Sequence, residues 1–348
     1  MLLGFVQSPA SDFSESLTRF LPMSTDVPIS EEADVEPQSK RHVALPAFLF
    51  LATCLSTFWT GSIDWKPLVH LGALWHGVQV FFANLSQGTF AALEQAVAVA
   101  KISWRHGLIY MGAVLGILLF HEMGHFLLAM RNRIPASWPF FIPLPIIPFG
   151  TMGAVISMEG SRANRRQLFD IGIAGPLAGL IVALPIAWIG IRMLPSTPAP
   201  GDSLCFQNPL LIQCLIAWLR PDYPTPGVFY LNQFNPFLMA GWVGMLVTGL
   251  NMLPVSQFDG GHVAFAVFGR HAHTLARTLL IAAILFILAS GQYGWVTMLL
   301  IVILLGVDHP PTADDNVQLN WPRKILGWAS LLIPILCFPP MGIMPMPR

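Results

Sequence analysis

Long apolar runs separated by short polar segments dominate the chain from residue 43 onward. A membrane-crossing helix needs roughly 20 mostly apolar residues. The candidate spans are Val43–Thr60, Gly107–Met130, Leu168–Leu194, Pro236–Pro254, Leu275–Ser290, Tyr293–Val307 and Ile325–Phe338, the last three short or closely spaced. The pattern predicts an all-α polytopic membrane protein, a bundle of about 6–8 transmembrane helices. Between residues 64 and 105, apolar stretches such as Leu68–Leu85 are interrupted by His70, His76, Gln79, Glu94, Gln95 and Lys101. That mixture predicts a loop with amphipathic helices lying at the interface.

Trp138–Met158 breaks the helical pattern. Pro139, Pro143, Pro145 and Pro148 forbid a regular helix there, yet the stretch is almost wholly apolar. Non-helical backbone at membrane depth survives only where protein or a wet cavity covers it. The expectation is a re-entrant Pro/Gly-rich hairpin beside a cavity.

Cytoplasmic flanks of membrane helices are enriched in Lys and Arg. Lys40 and Arg41 precede the first span, Arg131 and Arg133 follow the second, and Arg162, Arg165 and Arg166 precede the third. Arg270 and Arg277 lie between the fourth and fifth, and Arg323 and Lys324 precede the last. One topology places all these clusters in the cytoplasm, with residues 64–105 and 195–235 outside.

Composition agrees with a lipid-covered surface. Hydrophobic types make up 54% and charged types 10% of the 348 residues, against about 25% charged in soluble domains. The formal net charge is zero and no basic stripe exists, which excludes a nucleic-acid partner. Residues 1–41 hold Asp12, Glu15, Asp26, Glu31, Glu32, Asp34 and Glu36 among Pro and Ser, and read as a disordered tail rather than a secretory signal. Four cysteines are too few for a disulfide scaffold. Cys54 and Cys337 lie in apolar runs and read as packing residues, while Cys205 and Cys214 share one loop.

The second span contains His121-Glu122-Met123-Gly124-His125. Residues four apart share one helical face, so both imidazoles can bind one metal. Glu122 sits where it can reach a water in the open coordination position, as general base and then proton donor. Ionisable groups inside an apolar span are costly without a partner, and a metal supplies one. Two buried histidines bonded to neighbouring helices are the bland alternative.

A catalytic zinc site takes three protein ligands and keeps one open position. Glu159 is acidic but lies in a polar loop after the proline-rich segment. Asp259 is the better third ligand. It follows Asn251-Met252-Leu253-Pro254 at the end of the fourth span, at a depth matching His121 in the topology above. Pro254 ends that helix, and Gly260–Gly261 permit a tight bend turning Asp259 inward. Alone, Asp259 reads first as a turn aspartate capping the next element, and the His pair at matching depth turns the reading toward a ligand. His262 reads as a polar residue at the membrane surface, with a metal ligand or a group supporting the ligands as the alternative. His271, His273 and His309 read as solvated loop residues, and His42 and His106 as interfacial. His70 and His76, six apart, are poorly spaced for one metal.

With both segments in view, the chain resembles the site-2 protease family of intramembrane zinc metalloproteases. His121–His125 is similar to that family's active-site helix, and Asn251–Gly261 to its later Asn–Pro–Asp-Gly signature. Phe149-Gly150-Thr151-Met152-Gly153-Ala154, Phe169–Gly179 and Asp308-His309-Pro310-Pro311 resemble a subgroup that includes the plastid members. The resemblance spans about residues 107 to 323. It implies one Zn²⁺ per chain held by His121, His125 and Asp259, with Glu122 activating water. It implies that the segment containing Gly150 and Gly153 offers a strand edge to an unwound substrate, and that Asn251 orients substrate. No extracytoplasmic PDZ insert fits between Pro195 and Asn235. The glycines of Gly172–Gly179 read as helix-packing positions.

The expected function is cleavage of transmembrane protein substrates within the lipid bilayer, in regulated intramembrane proteolysis. The rival readings are a metal-binding membrane transporter and an inactive membrane scaffold homologue. No internal repeat supports the first, and an intact Glu122 opposes the second. The expected organisation is a disordered acidic cytoplasmic tail (1–41), an N-terminal span with an interfacial loop (42–106), a metalloprotease core (107–324), and a C-terminal span and tail (325–348). The expected location is multi-pass in a bacterial cytoplasmic membrane, because no transit peptide is legible, with a plastid or other organelle as the alternative.

Overall fold

A computed structural model of the protein describes residues 43–72, 75, 103–195, 204–224 and 226–345. The acidic segment 1–41 and most of the expected interfacial loop, 73–74 and 76–102, lie outside the described residues.

The described chain is mostly helical. It runs through α1 (Ala44–Ser62), α2 (Trp104–Arg131), β1 (Phe140–Leu144), β2 (Gly150–Val155), α3 (Arg165–Arg192), β3 (Leu204–Gln207), α4 (Leu210–Leu219) and β4 (Val228–Tyr230). It continues through α5 (Pro236–Asn251), α6 (Asp259–Phe268), α7 (His271–Ser290), α8 (Val296–Leu305), α9 (Trp321–Ser330), α10 (Ile333–Cys337) and β5 (Ile343–Pro345). Among the described residues, α1, α2, α3 and α7 are long and apolar enough to cross a membrane. Phe48, Leu55, Ile181 and Leu288 on these helices are exposed, an apolar surface that lipid can cover.

The expected single span Ile325–Phe338 is not formed. Its residues divide between α9 and α10, and Pro334 occupies the first turn of α10. Proline lacks an N–H and fits the start of a helix rather than its middle, so the chain restarts there. Two other runs also give short helices, whereas Leu275–Ser290 lies within the 20-residue α7. α5 stops at Asn251, and a 3-10 turn at Tyr293–Trp295 precedes α8.

Helix α5 is the axis of the fold. Every residue from Leu238 to Leu250 is buried, as an apolar-all-round helix requires. Asn235 caps it, accepting from Leu238 N at 3.0 Å and donating through Nδ2 to Gly190 O at 2.8 Å. Small residues bring α3 and α2 close. A Cβ on Gly241 would stand 2.7 Å from Ala187 Cβ, and one on Gly244 2.9 Å from Ile117 Cδ1.

β1 and β2 form an antiparallel hairpin, pairing Phe141 with Ala154 and Leu144 with Gly150. The prolines exclude helix, as expected, but the segment is a two-stranded sheet with an irregularity between Phe141 and Pro143. Gly150 has φ +72° and packs on α1, where Ser56 Oγ donates to Gly150 O at 2.5 Å. Tyr110 OH of α2 donates to Phe149 O at 2.8 Å, so two helices hold the tip of the hairpin.

A second sheet, ordered β4-β3-β5, brings the C-terminal strand back to pair Met344 with Cys205. Trp242 Nε1 donates to Gln207 O at 3.0 Å and ties this sheet to α5. Cys205 and Cys214 are both free thiols.

Candidate metal centre

His121 and His125 lie one turn apart on α2, both buried, with ring centroids 5.1 Å apart. His125 Nδ1 donates to Ile171 O of α3 at 2.8 Å. That bond holds Nδ1 to the backbone and leaves Nε2 as the ring nitrogen that faces the site. His125 Nε2 stands 3.3 Å from Asp259 Oδ2, and His121 Nε2 stands 3.2 Å from the same oxygen. Asn251, the last residue of α5, places Nδ2 3.1 Å from His121 Nε2. His121 Nδ1 is buried with no hydrogen-bond partner among the described residues.

Asp259 is the first residue of α6, one position past the N-cap Phe258. Its carboxylate points at the imidazoles of His121 and His125. The route into α6 differs from expectation. The glycine pair is helical, and the left-handed residue of the turn is Ser256, with φ +53°. What Gly260 and Gly261 provide is closeness. A Cβ on Gly260 would stand 2.0 Å from Met252 O, and one on Gly261 2.2 Å from Ser256 O.

The donor set suits zinc. Ligand atoms of His121, His125 and Asp259 all lie within 4.8 Å of one another. Zinc–ligand bonds of about 2.1 Å in a tetrahedron put neighbouring ligand atoms about 3.4 Å apart, close to the 3.2 and 3.3 Å found. Two imidazoles and a carboxylate leave a fourth position open. Glu122 is 4% exposed and follows His121 directly on α2, so a carboxylate is buried beside the imidazole pair. Glu159 instead pairs with Arg162 at the surface.

Helix α3 forms the floor of the site. Gly172, Gly175 and Gly179 share one helical face. A Cβ on Gly175 would stand 2.0 Å from His125 Nε2, and one on Gly179 3.0 Å from His121 Nδ1. These glycines do serve close packing, and what packs there is the imidazole pair. Small residues three and four apart in an apolar span were the only trace of this in the sequence.

The substrate-binding candidates divide. Asn251 joins the centre. Gly150 and Gly153 lie in β2, and among the described residues no hydrogen bond links them to the ligand atoms. Gly150 O is taken by Ser56, and Gly153 N donates to Thr151 Oγ1 at 3.0 Å.

Two histidines sit elsewhere than expected. His262 is 2% exposed and His309 8% exposed, so neither is a surface residue. His262 Nδ1 and His309 Nε2 are 2.6 Å apart. Burial pushes the His309 imidazole down from 6.5 to about 4. Next to it, the Arg277 guanidinium holds the Asp308 carboxyl below its usual range. A contact between residues 47 apart leaves no mark in local spacing.

Residues 109–290 match peptidase family M50. The chain is 30% identical over 232 residues to the probable zinc metalloprotease EGY1, chloroplastic, of Arabidopsis thaliana, covering 65% of this chain and 42% of that protein. It is 36% identical over 165 residues to the EGY1 protein of Oryza sativa subsp. japonica, covering 46% and 28%. It is 29% identical over 239 residues to the probable zinc metalloprotease EGY2, chloroplastic, of Arabidopsis thaliana, covering 67% and 41%. The chain thus spans less than half the length of these curated relatives. No solved structure matches. The expected bacterial cytoplasmic membrane is corrected by these matches, since the relatives are chloroplastic plant proteins rather than bacterial ones. The expectation leaned on N-terminal residues, which carry no such information in a chain covering so little of its relatives.

Proposed function

Because the chain belongs to peptidase family M50, we propose that it is an intramembrane zinc metalloprotease hydrolysing peptide bonds of membrane-spanning substrates. The observation that carries this reading is the convergence of two imidazole nitrogens on one carboxylate oxygen of Asp259, with Glu122 beside them on a membrane-length helix. His121, His125 and Asp259 hold the zinc. When bound, zinc polarises a scissile carbonyl and acidifies a neighbouring water.

The chain's own residues do the rest. Glu122 takes a proton from the attacking water as its oxygen bonds to the carbonyl carbon. As the C–N bond breaks, Glu122 returns that proton to the leaving amine. Asn251, whose amide stands 3.1 Å from His121 Nε2, donates to the carbonyl oxygen of the substrate. Neither strand of the β1–β2 hairpin has a second strand partner among the described residues. Its free edge takes up an unwound substrate through main-chain hydrogen bonds, with Gly150 and Gly153 keeping that strand slim.

The finer architecture follows the same reading. Four long spans, the enclosed α5 and the apolar helix Tyr293–Leu305 make a bundle of six. The hairpin re-enters it beside the centre, and residues 107–324 are the metalloprotease core. Regulated intramembrane proteolysis is the process such a core serves.

The test is Glu122→Gln with a single-span membrane reporter that the wild-type protein cleaves. Zinc content should be unchanged while cleavage falls by about 10²-fold or more. Retained cleavage would remove Glu122 from its role.

A further inference from the structure

Asp259 is held from both sides by one short segment. Three residues before it, Ser256 N donates to Val307 O at 3.0 Å. Three residues after it, His262 Nδ1 meets His309 Nε2 at 2.6 Å. His309 Nδ1 donates to Pro310 O at 2.5 Å. With that proton on Nδ1, His309 Nε2 is an acceptor, and His262 Nδ1 is the donor to it.

The segment is itself fixed. The His309 ring stacks on Phe265 of α6, with centroids 4.4 Å apart and planes at 11°. Asp308 pairs with Arg277 on α7. On the other side of α6, a Cβ on Gly172 would stand 3.0 Å from His262 Cβ and 3.4 Å from Asp259 O. The first turn of α6 therefore lies between α3 and the 307–310 segment.

We propose that Val307–Pro310 is a strap, and that its His309–His262 hydrogen bond sets the position of the Asp259 carboxylate. His262 and His309 are then positioning residues for a metal ligand, and the Asp308-His309-Pro310-Pro311 stretch acquires a role. This rests on the zinc-site reading above. Asp259 needs such a strap because it begins a ten-residue helix entered from a loop with a left-handed residue at Ser256. No preceding helical turn holds it in place. Partners that orient a metal ligand from outside typically matter by about 10–100-fold in metal affinity.

The experiment measures zinc release from the purified full chain to a chromogenic chelator, for wild type, His309→Ala and His309→Gln. A glutamine places Oε1 near the site of the histidine Nε2 and accepts the same hydrogen bond. His309→Ala should release zinc about 10–100-fold faster, and His309→Gln should stay within about threefold of wild type. The cobalt(II)-substituted proteins add a second readout, because ligand geometry sets the visible absorption band. His309→Ala should change that band and His309→Gln should keep it. Wild-type release from His309→Ala would overturn the proposal. So would His309→Gln failing as badly as His309→Ala, since the hydrogen bond would then not be what matters. A wild-type protein that takes up no zinc would instead defeat the zinc-site reading, and the strap with it.

Discussion

Gly175 of α3 lies directly beneath the His125 imidazole of α2, so close that a Cβ at Gly175 would stand 2.0 Å from His125 Nε2. That nitrogen is the one directed at Asp259 Oδ2. Any side chain at position 175 therefore pushes a proposed ligand atom out of place. At position 179 the same addition would come only to 3.0 Å from His121 Nδ1, on the far side of the ring. Gly175→Ala should purify largely without zinc and lose about 1–3 kcal/mol of stability. Gly179→Ala should keep most of its zinc. Metal analysis and thermal unfolding check the order, and full zinc in Gly175→Ala would mean the ring is not confined there.

The hairpin tip hangs on two hydroxyls from separate helices, Ser56 to Gly150 O and Tyr110 to Phe149 O. Ser56→Ala or Tyr110→Phe leaves a carbonyl short of its donor, at a cost of about 1–3 kcal/mol. Both variants should cleave a membrane reporter more slowly while zinc content holds at the wild-type level. Loss of zinc along with cleavage would point to general collapse rather than a misplaced strand.

Acid should weaken the protein through His309. The unfolded chain takes up a proton at this residue below about pH 6.5, whereas burial delays that uptake in the folded protein to about 4. The stabilisation is present in full above about pH 6.5 and is lost as pH falls from there toward 4. At about pH 5 the loss is about 1–2 kcal/mol. His309→Gln keeps the hydrogen bond but does not titrate. Its unfolding temperature should therefore drop less than that of wild type between neutral and acid pH. Equal drops would assign the acid sensitivity to another group.

Legibility in the sequence followed the range of the interaction. The pair His121 and His125 was readable because four residues of helix put both rings on one face whatever surrounds them. The long spans were readable because length and apolarity alone decide them, as in α1, α2, α3 and α7. Asp259 was readable only through matching depth, and its turn was misjudged because the left-handed residue is Ser256 rather than a glycine. The run 325–338 is apolar enough to suggest one helix, but Pro334 begins a new one. Prolines ruled out a helix at 138–158 but could not show that Phe141 faces Ala154. His262 and His309 look like surface residues along the chain because only the fold brings them to 2.6 Å. Ser56, outside the region resembling the protease family, was missed for the same reason.

The central claim is that Asp259 completes a zinc site begun by His121 and His125. Metal content of the purified wild-type protein and of Asp259→Ala tests it most directly. The account predicts about one zinc per wild-type chain and little or none in the variant. Equal zinc in the two proteins, or none in the wild type, would contradict it.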